Sequence, residues 1–125
     1  MKFKPIVVVA GEPNSVFSEI FLKTINNYKF KSPIILICSK KLFLKQAKTL
    51  KEKIIYSEIN KNDIFKTNYK YKKINLINVN YNQSNVFEKI STKSNLYIED
   101  CFKLALELIK SGVSNKFING PISKN

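Results

Sequence analysis

With 125 residues, 44% of them apolar, and only three glycines and four prolines, the chain has room for at most one domain with a real core, and its composition excludes collagen-like and disordered classes. Histidine is absent, which removes the Ser-His-Asp triad, the Cys-His dyad and every histidine metal ligand from this chain. The net charge of +13 invites a nucleic-acid reading, but all 22 basic residues are lysine, and arginine, which supplies the bidentate guanine contact and the phosphate fork, is missing.

The crowding of Asn, Ile, Tyr and Phe is that of AT-rich codons, so much of the charge reads as lysine on solvated faces and argues against a dedicated nucleic-acid binder. Cys38 and Cys101 lie far apart in positions that fit a core, as reduced thiols of a cytoplasmic protein. The opening MKFKPIVVVAGEPN has too short an apolar run, followed by turn residues, for a signal peptide, and no run reaches membrane-spanning length.

Ile6 to Ala10 is a continuous β-branched run, the pattern of a strand buried on both faces. Gly11 breaks it, Glu12-Pro13-Asn14-Ser15 makes a tight turn, and Asn14 or Ser15 caps the helix that follows. Ser15 has Glu19 behind it, close to capping-box spacing. Val16, Ile20 and Ile25 give that helix an apolar side, widened by Phe17, Phe21 and Leu22. A second buried-type strand, Pro33 to Cys38, leads through Ser39 as N-cap into a helix over 40–51.

Ile54-Ile55-Tyr56 predicts a short third strand, and 58–73 a lysine-rich loop or irregular hairpin. Ile74, Leu76, Ile77 and Val79 predict a fourth strand, which Asn75 and Asn78 interrupt as if it lay at an edge or faced solvent on one side. The clearest helix spans about 94–111, with Cys101, Leu104, Ala105, Leu108 and Ile109 at three-four spacing and Gly112 as C′ residue. A short strand, Lys116 to Asn119, precedes the closing Gly120-Pro121-Ile122-Ser123-Lys124-Asn125. Strands alternating with helices predict an α/β fold with a mainly parallel sheet flanked by helices. A strand that runs into a Gly-Pro turn and stops leads us to expect a truncated chain, or the amino-terminal part (1–125) of a larger α/β domain.

Two stretches could carry chemistry. The turn Gly11–Ser15 presents backbone N–H groups at a strand's carboxyl end, and Glu12 there could hold a hydroxyl or a cation; taken alone, it reads first as a tight turn with a solvated Glu and a helix cap. Asn119–Lys124 offers close backbone approach at Gly120, a hydroxyl and a lysine cation, or else an ordinary terminus. In order and spacing the pair resembles the amino-terminal part of the 4-hydroxythreonine-4-phosphate dehydrogenase family. That family opens with Gly-Glu/Asp-Pro-x-Gly-Ile-Gly-Pro-Glu, where this chain has Gly11-Glu12-Pro13-Asn14-Ser15-Val16-Phe17-Ser18-Glu19. It continues to Thr-Gly-Pro-Ile-x-Lys, where this chain has Asn119-Gly120-Pro121-Ile122-Ser123-Lys124.

The resemblance implies an isocitrate/isopropylmalate dehydrogenase-like fold, here incomplete. It also implies a cytoplasmic homodimer that uses NAD and a divalent metal to oxidise the hydroxyl of a phosphorylated hydroxy-amino acid in pyridoxal phosphate synthesis. It carries over Gly11, Glu12, Pro13, Glu19, Gly120, Pro121 and Lys124 as substrate- or cofactor-proximal positions, and no catalytic or metal-binding residue. The family's metal histidines lie beyond the Gly-Pro-Ile-x-Lys turn, so the chain alone is expected to bind neither cofactor well. Ser15, Phe17 and Ser18 replace two family glycines and a proline. A diverged, non-catalytic homologue is therefore one alternative. A lysine-rich RNA or polyanion module, with Tyr69, Tyr71 and Tyr81 stacking on bases, is the other.

Overall fold

A computed structural model describes residues 3–120. Five strands, β1 (Ile6–Val9), β2 (Ile34–Cys38), β3 (Tyr56–Glu58), β4 (Ile74–Asn78) and β5 (Lys116–Asn119), form one sheet in the order β3-β4-β2-β1-β5. Every pairing is parallel, with Ile6 beside Ile34 and Lys116, and Ile74 beside Ile34 and Tyr56. Helices α1 (Phe17–Asn27), α2 (Lys40–Thr49) and α3 (Asn95–Lys110) cover the two faces.

The period of two along the strands decides the layers. Val8, Leu36 and Leu76 point to the face covered by Phe21 and Leu22 of α1 and Phe43 and Ala47 of α2. Val7, Val9, Ile35, Ile37 and Ile77 point to the other, where Ile98, Cys101, Ala105 and Leu108 of α3 lie. The central strands are apolar without alternation because both faces are covered. Ser39 caps α2, its hydroxyl accepting from Leu42 N at 3.3 Å.

Three expectations change. The strand carrying Asn75 is not at an edge: β4 lies between β2 and β3, and Asn75 is fully buried. Its amide donates to Ile34 O (3.0 Å) and Lys70 O (2.9 Å) and accepts from Lys70 N (3.0 Å), so the loop before the strand supplies the polar partners that burial demands. The third strand begins two residues later than Ile54, at Tyr56; Ile55 before it is exposed, and its carbonyl accepts from Ile74 N. The buried stripe of α1 is Ser18, Phe21 and Leu22, while Val16 and Ile20 are 65% and 59% exposed. Glu58 ends β3, and the stretch 59–73 is irregular, with one 3-10 turn at Lys61–Asp63, and it sends Ile64 into the core.

Candidate functional site

The chain leaves β1 towards β2 and reaches β3 and β4 on that side; α3 then carries it back to place β5 on the other side of β1. The strand order therefore reverses between β1 and β5, and in open α/β sheets the crevice at the carboxyl ends of such strands is where ligands bind. Both sequence stretches reach this point. Gly120 N donates to Val9 O at 2.7 Å. A methyl group built at Gly120 would stand 2.0 Å from Ala10 O and 2.8 Å from the Phe17 ring, so glycine alone permits the approach. Gly11, at φ +74°, turns the chain out of β1 in the left-handed region. Pro121 and Lys124, the other two positions of the second stretch, lie outside the described residues.

Glu12 turns inward. Its side chain is buried, Oε2 accepts from the Ser94 hydroxyl at 3.0 Å, and Oε1 accepts from Asn14 N at 3.3 Å. The Glu12 carbonyl accepts from both Ser15 N and the Ser15 hydroxyl, closing the turn. Ser15 then accepts from Phe17 N at 3.2 Å, so it satisfies a free N–H at the start of α1, although Val16 occupies the N-cap position. Pro13 is buried, and its carbonyl accepts from Gln46 Nε2. Glu19 faces the helix surface, 3.5 Å from Lys23 one turn on. Phe17, which stands where the resembled motif has glycine, stacks on Phe21 with ring centroids 5.4 Å apart.

Sequence reasoning passed over the residues that hold this turn in place. Asn14 and Gln83 exchange two amide hydrogen bonds, and Asn14 Oδ1 also accepts from Glu88 N. Gln46, buried on α2, accepts from Ser18 and donates to Pro13 O and Val86 O. A glutamine on the apolar stripe of α2 is the one signal that could have marked it. The pairing of Asn14 with a residue 69 positions away leaves no local pattern.

Nearby, Tyr97 accepts from Ser39 N at 2.7 Å and stacks on Tyr81. Burial pushes the Tyr97 phenol well up; burial and then the Glu12 and Glu88 carboxylates push Tyr81 up. Burial likewise raises the thiol of Cys38 well above its ordinary value and that of Cys101 to about 12, which suits two packing residues and no nucleophile.

A divalent metal does not fit the described residues: the sequence has no histidine, and among the described residues no three His, Cys, Asp or Glu side chains come together. Nor does the turn after β1 make a dinucleotide cradle, since it has one glycine and Phe17 fills the space beside Gly120. An apolar groove of about 330 Å³ runs between α1 and β5, lined by Ile6, Val8, Ile20 and Ile118 among others. Among the described residues no helix is long and apolar enough to cross a membrane.

No family model matches the sequence, and no curated protein matches it. Solved structures do. The chain superimposes on a 4-hydroxythreonine-4-phosphate dehydrogenase from Burkholderia phymatum with a TM-score of 0.80 over 99% of its length at 17% identity. It superimposes on one from Klebsiella pneumoniae with a TM-score of 0.78 over 97% of its length, also at 17% identity. It spans 38% of each of those chains. At this identity the likeness shows the fold, which is the parallel α/β sheet of these dehydrogenases and agrees with the resemblance read in the two motifs.

Proposed function

We propose that this chain forms one wall of the active site of an NAD-dependent dehydrogenase acting on a phosphorylated hydroxy-amino acid; the proteins it resembles in fold are named 4-hydroxythreonine-4-phosphate dehydrogenases. The observation that carries the reading is the meeting of two distant stretches at the switch point: Gly120 lies against Val9 and Ala10 with no room for a side chain, beside the turn that Glu12 holds closed. In such an enzyme NAD would supply the hydride acceptor and a divalent metal the Lewis acid. The residues described here fit neither group, so the reading puts both on polypeptide beyond this chain.

The work of this chain is then positional. Glu12 fixes the β1–α1 turn through Ser94 and Asn14, and Gly120 keeps the two strand ends in contact. Both act on the wall and not on the reacting atoms. Lys124 supplies a polar contact to substrate in this reading, and the apolar groove along β5 is covered by further chain of the same protein, in a cytoplasmic homodimer.

The test uses the source reading frame. If it continues past Asn125, the extended protein with a divalent metal forms NADH from 4-phosphohydroxythreonine, and the 125-residue chain forms none. An extended, folded protein without this activity would sink the reading in favour of the diverged homologue, which Phe17 and Ser15 in place of glycines favour. Activity in the short chain alone would show that the catalytic groups have been misplaced.

A further inference from the structure

A second, unlike site lies at the carboxyl ends of β2 and β4. A cavity of about 270 Å³ opens there over the first turns of α2, lined by Lys41, Leu42 and Lys45, the loop Tyr81–Ser84, and Lys93. We propose that it binds the phosphate dianion of a small phosphomonoester.

Three lysines line the cavity with little internal neutralisation. Among the described residues no carboxylate lies within ion-pair distance of Lys41 or Lys45, and Lys93 has only Glu88, at 3.8 Å. Like charges gathered on one small surface repel one another, and a bound dianion reverses that. Neutral donors supplement the charge. The side chains of Asn82 and Ser84 make no hydrogen bond among the described residues, nor do the backbone N–H groups of Asn82, Gln83 and Ser84. Lysine serves a phosphate as a point charge and offers no flat fork for a carboxylate or a guanine edge.

The loop is also fixed before any ligand arrives. Gln83 is locked to Asn14 by two hydrogen bonds, Val86 O accepts from Gln46, and the Tyr81 ring is stacked on Tyr97 at 4.8 Å. Ordering a loop opposes binding, and here that ordering is already done. The volume sits at the lower end of small-molecule pockets, so the ligand is a compact ester and not a polymer. The lining shares no residue with Gly11, Glu12 or Gly120, so the site stands whether or not the dehydrogenase reading does.

The test is an amide-resolved NMR titration of the full chain with inorganic phosphate, O-phosphoserine and a single-stranded oligonucleotide at constant ionic strength. Saturable shifts centred on Lys41, Lys45 and Asn82–Ser84, with O-phosphoserine at least as tight as free phosphate, are expected. The double variant Lys41→Gln/Lys45→Gln should weaken binding by about tenfold or more. Lys31→Gln/Lys53→Gln removes the same charge from exposed positions before β2 and β3. It should leave the affinity within about twofold. Equal weakening in both double variants, shifts scattered over the lysine surface, binding of free phosphate with exclusion of the ester, or a response to the oligonucleotide alone would each overturn the proposal.

Discussion

The carboxyl ends of β1 and β5 and those of β2 and β4 lie on one edge of the same sheet and treat their polar groups in opposite ways. At the first, the Glu12 carboxylate points inward to Ser94 and Asn14 N, and Gly120 presses on Ala10 without room for a methyl group. At the second, three lysines and the N–H groups of 82–84 remain without strong partners among the described residues. A buried polar group that is paired specifies structure, whereas exposed like charges left together contribute nothing to folding. The closed end should therefore be sensitive to substitution in stability, and the open end in binding.

The largest effect is expected at Gly120. In Gly120→Ala the new methyl group meets backbone at 2.0 Å on one side and the Phe17 ring on the other, and backbone cannot swing aside as a side chain can. A loss of about 3 kcal/mol is expected in urea unfolding. A loss under about 1 kcal/mol would mean that the β1 and β5 ends are loosely joined and that the switch point is not a fixed wall.

Next is Glu12. Glu12→Ala leaves the buried Ser94 hydroxyl and the half-buried Asn14 N–H without their acceptor, which costs about 2 kcal/mol. Ser94→Ala should cost less, and the double variant should fall short of the sum, because the two share one interaction. Strict additivity in this cycle would show that the carboxylate does not depend on Ser94, and the turn would then be held by Asn14 and Gln83 instead.

How far these features could be read in advance follows the range of the interactions. The apolar runs of β1 and β2 and the three-four spacing of α3 are local consequences of burial on both faces or on one stripe, and they were legible. So was Ser39, whose cap reaches three residues. Asn75 misled because a buried amide inside a strand is tolerated only when distant backbone satisfies it, and the loop at Lys70 does so. The exposed side of α1 misled because Ser18 is drawn inward by Gln46, 28 residues on, displacing the stripe from Val16 and Ile20. Glycines 11 and 120 could be recognised as special, but that they serve one crevice follows only from the strand order.

The smallest effect on stability is expected at the open end. Lys41→Gln/Lys45→Gln removes two exposed charges of α2 that have no carboxylate partner within ion-pair distance among the described residues. Both positions are helical, and glutamine has nearly the helix propensity of lysine, so the helix itself should not notice. Relief of like-charge repulsion acts in the stabilising direction, and the unfolding free energy should stay within about 0.5 kcal/mol of the parent or rise slightly. Added phosphate should then raise the thermal midpoint of the parent and not of the variant, because only a ligand that binds the folded state stabilises it by mass action. A variant destabilised by more than about 1 kcal/mol would place these lysines among the groups that hold the fold, and the two ends of the sheet edge would no longer differ in kind.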